Sequence, residues 1–516
     1  MKYFLTKNKL LIAIIFLAAI LRFYQLGNVP PSLNWDEASN AYNAYSILKT
    51  ARDEYGNFIP LTFRSFGDYN PAMSVYTLIP SLAVFGETQF AVRFPSALLG
   101  TLTVLFTYLM VKELFRTGGS RGKAPDRTRS ENVALLSAFF LAISPWHLHF
   151  SRYDHEANFM LAFGIIGLTL LLFATRSKKA LIYLSSSSVF FGLALNSYHG
   201  SKIWIPLFLI TVFVFFHKEI LRLKLKLIIF ISIILFFTLP IVVNYPNSLI
   251  RGQSVGIFKN PHRMELFITG YLSHFSPNFL FASADSIGRH AVPGMGEEYI
   301  FVLPLIIIGL LTVIKSKTGN IKFLLAWLLV APIPASIATP TPHALRALTF
   351  LPLWSTFAAA GLAAIISSNL KRTTKQIFLG ALLIVAFYNL VTYFHLYYKH
   401  YPKEKAIDWQ YGYKETVEYV NAHKNDYEVI AMTNYYGKPY IFFLFYSKYD
   451  PKLYQSQSEN KDKFDKFEFF GSSWDKKVSG KAMIIRPAWQ KPIPAPKYLK
   501  EIKDTNDQVV FRISEE

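Results

Sequence analysis

Apolar residues along this chain fall into long runs, most of about 17–25 residues, broken by short polar connectors; a helix needs that length to cross the hydrocarbon of a bilayer. Runs centred near residues 18, 102, 140, 166, 188, 210, 235, 307, 330, 357 and 386 predict eleven membrane-spanning helices. The first, from about Leu10 to Leu26, follows Lys2, Lys7 and Lys9. No clear small-residue cleavage site follows it, so it reads as a retained anchor. Two connectors are long, at 27–90 and 244–298. The first holds MSVYTLIPSLAVFG, an apolar stretch too short to span, which predicts an interfacial or re-entrant segment. Beyond residue 400 the pattern changes. GYKETVEYVNAH reads as a helix and YEVIAMT, KFEFF, KAMIIRP and QVVFRIS as strands, with PYIFFLFYSKYDP as a helix ending before Pro451. The predicted architecture is mainly α: a polytopic membrane domain over 1–400 and a small C-terminal α/β domain over 401–516.

Composition agrees: 52% of the 516 residues are hydrophobic and 16% aromatic. The net charge of +21 invites a nucleic-acid reading, but its distribution argues against one. Residues 403–516 hold 19 Lys/Arg against 17 Asp/Glu, and the excess sits in the connectors. Six of these (1–9, 112–131, 176–179, 217–226, 315–322 and 371–375) hold 22 Lys/Arg and four acids. The connectors near 150, 200 and 343 carry one basic residue each, Arg152, Lys202 and Arg346. That alternation follows the positive-inside rule and expects the N-terminus in the cytoplasm, the C-terminal domain outside, and no nucleic-acid partner. TGGSRGKAPDRTRS, 117–130, reads as a flexible cytoplasmic loop. There is no cysteine, hence neither a disulfide nor a thiolate metal site.

Ionisable residues gather at the expected outer ends of the spans: NWDEASNAY at 34–42, SPWHLHFSRYDHEANF after span three, NSYHGSKIW after span five and TPTPHALRA after span nine. Span interiors are almost free of charge. A transporter usually buries ionisable groups near the bilayer midplane, whereas this placement suits chemistry on a lipid headgroup. Arginine and lysine bind phosphate, and a carboxylate accepts a proton.

With these residues in view the chain resembles the polytopic GT-C glycosyltransferases, in the branch of protein O-mannosyltransferases and lipid A aminoarabinose transferases. The resemblance covers nearly the whole membrane part. It rests on Asp36–Glu37 after the first span, FGETQFAVRFPSALLG at 85–100, and Asp154 in SRYDHEANF. It implies transfer of a monosaccharide, a hexose or pentose, from a polyprenyl-phosphate donor to a hydroxyl, amine or phosphate of a protein, lipid or glycan acceptor. It also implies a multi-pass plasma-membrane location, inversion at the anomeric carbon, and Asp36 as the base. Relatives often carry Lys-Pro or His-Pro-Pro before the interfacial stretch, where the basic residue can contact the donor phosphate. Here FGDYNPAMS places Asn70 before Pro71, so phosphate binding would fall to other groups.

The catalytic candidates are therefore Asp36, Glu37 and Asp154. Adjacent helical residues point about 100° apart, so Glu37 is expected to orient Asp36 or bind the acceptor rather than share its atom. The candidates for phosphate or substrate are Arg346, His343, His199 and Lys202, followed by Arg93, Arg152, His155 and Tyr69. Each also has a plain structural reading. Asp36 could cap a helix, Asp154 could pair with Arg152, Arg346 could snorkel, and Arg93 could anchor the start of span two. His199 and His343 match no compact metal motif, so no metal ligand is assigned, although a divalent ion stays open as a cofactor. RGQSVGIF at 251–258 is a candidate lid. The rival readings are a flippase or transporter of a lipid-linked sugar and a non-catalytic scaffold presenting the C-terminal domain.

Overall fold

The computed structural model describes residues 2–116, 127–247, 250–316, 318–457, 463–471, 480–490 and 496–516. Most of the loop expected at 117–130 lies outside them. The chain forms two compact units. One comprises Met1–Tyr24, Asp68–Met73 and Ser96–His395; the other comprises Gln25–Gly67, Ser74–Pro95 and Leu396–Glu516.

The first unit is helical, and each of the eleven expected span centres falls inside a helix. Among the described residues seven helices are long and apolar enough to cross a membrane: Gln89–Arg116, Glu156–Ala174, Ser201–Leu221, Lys226–Val243, Gly319–Ser336, Leu348–Ser367 and Arg372–Glu404. Ser130–Ile143, Ala180–Leu195 and Ile300–Ile314 are apolar but shorter. Glu156–Ala174 is buried on nearly every side and forms the centre of the unit, whereas Lys226–Val243 has no buried residue. A helix that is apolar all round yet uncovered by protein is what a lipid environment permits.

Two glycines set a close helix crossing. A Cβ on Gly309 would lie 1.9 Å from the carbonyl oxygen of Phe357, and one on Gly361 would lie 2.0 Å from that of Leu305. Helices Leu303–Ile314 and Leu351–Ser367 thus meet backbone to backbone. Such contacts hold membrane helices together where no hydrophobic driving force separates lipid from protein.

The second unit joins the first long connector to the C-terminal region. The interfacial stretch is a helix, Met73–Phe85, of 13 residues. The side-chain amide of Gln455 lies 2.9–3.0 Å from Ser46 Oγ, Thr50 Oγ1 and the Asp53 carbonyl, tying the C-terminal region to helix Trp35–Thr50. The sheet has six strands in the order Lys463–Phe464, Phe467–Phe470, Val429–Thr433, Ala482–Pro487, Val509–Glu515, Lys497–Lys503. Val429–Thr433 runs parallel to both neighbours, and the outer pairings are antiparallel. Ala482–Pro487 is buried throughout, as a strand covered on both faces should be. Tyr413, from helix Tyr413–His423, stacks on Phe442 with centroids 4.4 Å apart, and Phe443 meets Phe467 at 5.1 Å.

The four expected strands are present, and two more are added. Lys497–Lys503 escapes the pattern because it is an edge strand, charged and mostly exposed, with little alternation to read. The helix expected to end before Pro451 is present as Pro439–Tyr446, and Lys448 turns the chain with a φ of 50° before a separate helix, Pro451–Gln455.

Candidate functional site

The acids of the opening motif sit at the start of helix Trp35–Thr50 in the second unit. Asn34 caps this helix: its Oδ1 accepts from the backbone N–H of Asp36 (2.9 Å) and Glu37 (3.1 Å), and Glu37 Oε2 accepts from the Asn34 N–H at 3.1 Å. This is a reciprocal capping box, which satisfies donors that a helix start leaves open. Glu37 is fully buried and pairs with fully buried Arg93, Nε to Oε1 at 3.1 Å and Nη2 to Oε2 at 3.4 Å. Arg93 also donates to the carbonyls of Leu26, Pro30 and Ser32 and lies 5.7 Å from the Trp409 ring. Neither residue is open to a ligand. Glu37, expected to orient Asp36 or bind the acceptor, is closed to an acceptor by its burial, and Arg93, a candidate for phosphate, is instead bonded to that carboxylate and to three carbonyls. Asp36 is half-exposed on the same turn. Its neighbour Trp35 donates its N–H to Gln410 Oε1 at 2.9 Å and packs on Gly437, where a Cβ would come within 2.6 Å of the indole.

In the first unit, the connectors near 70, 152, 199, 251–290 and 343 converge at one end of the helices. His199 Nε2–H donates to Asn70 Oδ1 at 3.3 Å, and the Met73 N–H donates to the Asn196 carbonyl at 3.4 Å. Tyr69 is half-exposed on the short strand Asp68–Pro71. Arg251 lies 3.7 Å from Asp68 with its side chain half-exposed. Half-buried Arg346 donates to the Thr339 carbonyl at 3.0 Å and bonds the Tyr198 hydroxyl. Lys202 is half-buried at the start of helix Ser201–Leu221. Arg346, Arg251 and Lys202 thus present three part-exposed cations, while the imidazoles among them stay neutral. Burial, with Lys202 and Arg251 nearby, pulls His199 down to about 3. Burial and the surrounding cations also hold His155 well below its ordinary range. His155 caps helix Glu156–Ala174, its Nδ1 accepting from the Ala157 N–H at 3.2 Å.

Arg152 and Asp154 are almost fully buried. Arg152 donates to the carbonyls of Leu21 and Arg22 at 2.9 and 3.0 Å, which makes it a helix-end tether instead of an open phosphate ligand. His343 is buried, with its ring centroid 4.8 Å from that of His290 and its N–H donated to His274 Nε2 at 3.1 Å. Sequence reasoning missed Arg251 as a cation, having read 251–258 only as a lid, and missed Asp285 and His290 altogether. Asp285 and His290 lie far along the chain from the recognised motifs, and the one available signal, polar residues crowded into a long connector, does not say which of them turn inward.

Residues 69–243 match the family described as dolichyl-phosphate-mannose-protein mannosyltransferase. A Bacillus subtilis (strain 168) protein named "Putative mannosyltransferase YycA" is 26% identical over 220 residues, 42% of this chain and 28% of its own length, so the chain spans little more than a quarter of that relative. Among solved structures, ArnT from Cupriavidus metallidurans in the apo state has a TM-score of 0.55 at 10% identity, covering 99% of this chain and 98% of that one. The archaeal oligosaccharyltransferase AglB from Archaeoglobus fulgidus has a TM-score of 0.54 at 14% identity, over 86% of this chain and 63% of that one. At these identities the two structures speak for the fold, and the family match speaks for the segment that carries part of the cation cluster. The chain is built as a multi-pass membrane protein with the GT-C fold that these structures share, and within it residues 69–243 are similar to the mannosyltransferase family.

Proposed function

We propose that this protein transfers a monosaccharide, hexose or pentose, from a polyprenyl-phosphate carrier to an acceptor hydroxyl, amine or phosphate at the outer face of the plasma membrane. The observation that carries this reading is the cluster of Arg346, Arg251 and Lys202 at one end of the helices, within a fold shared with ArnT. That protein has also been solved bound to undecaprenyl phosphate, which supports a polyprenyl phosphate as the carrier. The cations replace the charge that Asn70 cannot supply. In the inverting reaction Asp36 takes the proton from the acceptor as its oxygen or nitrogen attacks the anomeric carbon. The bond to the carrier phosphate breaks, and the guanidinium and ammonium groups stabilise the charge developing on that phosphate. Glu37 and Arg93 hold Asp36 in register, and buried Asp154 assists at the site. Residues 1–400 form the transferase domain; 401–516 lie outside the membrane and hold the acceptor, a protein, lipid or glycan.

The test uses purified protein in lipid, a panel of radiolabelled polyprenyl-phosphate sugars and a membrane extract as acceptor. Asp36→Asn is expected to lower kcat by about 100-fold or more with an unchanged unfolding temperature, because a positioned base contributes on that order. Arg346→Gln is expected to weaken donor use, with KM for the donor rising by about 10-fold. Wild-type transfer in a folded Asp36→Asn variant removes Asp36 from the chemistry, and failure of every donor in an extract known to hold acceptors overturns the transferase reading.

A further inference from the structure

Asp285, His290 and His343 form a cluster that the proposed transfer does not use. Each offers one ligand atom, and all three atoms lie within 4.8 Å of one another. The Asp285 Oδ2 to His290 Nδ1 separation is 2.7 Å. Zinc-type ions take imidazole nitrogen and carboxylate oxygen at about 2.0–2.2 Å, which places tetrahedral ligands roughly 3.3 Å apart; an entering ion therefore replaces the proton of the Asp285–His290 hydrogen bond, which is released to solvent as the two ligand atoms part by about 0.6 Å. The residues come from two loops, 285 and 290 from the long connector and 343 from the segment after Ser336.

Their support is already built. Asp285 Oδ1 accepts from the Ile287 N–H at 2.9 Å and Oδ2 from the Ala344 N–H at 2.8 Å. The His343 N–H donates to His274 Nε2, whose Nδ1–H donates to the Gly270 carbonyl at 2.6 Å, and Trp146 Nε1 donates to the Ala344 carbonyl at 3.1 Å. Ligands held by an outer layer of hydrogen bonds are what a metal site needs, since the ion then meets groups already in place. An Asp–His hydrogen bond alone accounts for two of the residues and not for the third. Nearby Glu297 is 2% exposed, its Oε1 has no hydrogen-bond partner among the described residues, and it lies within electrostatic range of Asp285. Two buried carboxyls near one another are stabilised by a cation between or beside them.

We propose that Asp285, His290 and His343 bind one divalent transition-metal ion, of the zinc type, that clamps the 244–298 connector to the loop following Ser336. The two imidazoles and one carboxylate favour such an ion over calcium or magnesium, which prefer sites of oxygen alone. Binding does not depend on whether the chain transfers sugar.

The experiment uses the full chain in detergent with any affinity tag removed, stripped with EDTA and titrated with Zn2+ alone. About one equivalent of zinc is expected to remain after desalting, with the unfolding temperature raised. Asp285→Asn, His290→Gln and His343→Gln should each weaken binding at least 10-fold and abolish that rise. His262→Gln, an exposed histidine of the same connector, should change neither. If a ligand variant fails to fold, Co2+ substitution of the wild type decides, because coordinated imidazole and carboxylate give visible d–d bands that an ion on the surface does not. Absence of stoichiometric zinc, or zinc binding equal in the three ligand variants, overturns the site. Ligand variants that lower the metal-free unfolding temperature of a protein that binds no zinc would make the cluster a hydrogen-bonded link only.

Discussion

Glu37 and Arg93 show how a charged pair that reads as chemistry can be structure. Both are fully buried, and Arg93 bonds three carbonyls as well as the carboxylate. Removing one partner leaves the other charge buried, at a cost of about 3–5 kcal/mol, whereas removing both costs less. Arg93→Met or Glu37→Gln should therefore lower the unfolding temperature sharply, and the double variant should recover part of the loss; equal, additive losses would deny the coupling. His199 provides a pH prediction. The folded protein keeps its imidazole neutral down to about 3, while the unfolded chain protonates it from about 6.5. The unfolded state then binds the extra proton within that window, so stability falls as pH drops from 6.5 toward 3. Unfolding temperatures across that range should show the slope, and His199→Gln should flatten part of it. Residue identity was legible here; residue role was not. Asp36, half-exposed, and Glu37, with no exposure, are adjacent in sequence, and only the burial of Arg93 against the second separates them.

At the scale of elements the spans were the most legible feature, because a bilayer demands long apolar runs whatever the helix packs against. Which spans stand at the centre was not. Glu156–Ala174 and Lys226–Val243 are both apolar all round, yet one is enclosed by protein and the other is not, since lipid and protein interior solvate such a surface alike. The Gly309–Gly361 crossing likewise left no mark on the hydrophobic pattern. Gly361→Val should force the two backbones apart, because its Cβ would lie 2.0 Å from a carbonyl oxygen. The expected result is a large loss of folded protein in detergent, compared with little change for Gly380→Val on helix Arg372–His395, where nothing lies within 4 Å.

The whole molecule raises the question of sidedness. The basic connectors predict that residues 176–179 face the cytoplasm and that the C-terminal sheet lies outside. The absence of native cysteine makes this direct to test. In intact cells a membrane-impermeant maleimide should label Gln508→Cys and leave Lys178→Cys unlabelled until the membrane is opened; the reverse pattern would invert the topology. The compact units also cut across chain order, with residues 25–67 and 74–95 joining the C-terminal region. By itself the sequence determined the membrane class, the span positions, most of the sheet and the polar motifs at the span ends, because each follows from local periodicity, length or charge. Only the tertiary structure decided that Glu37, Arg93 and Arg152 are tethers, that Arg251 joins Arg346 and Lys202, and that Asp285 and His290 meet His343. Those roles depend on which buried groups face one another across long stretches of chain, and no local pattern encodes that.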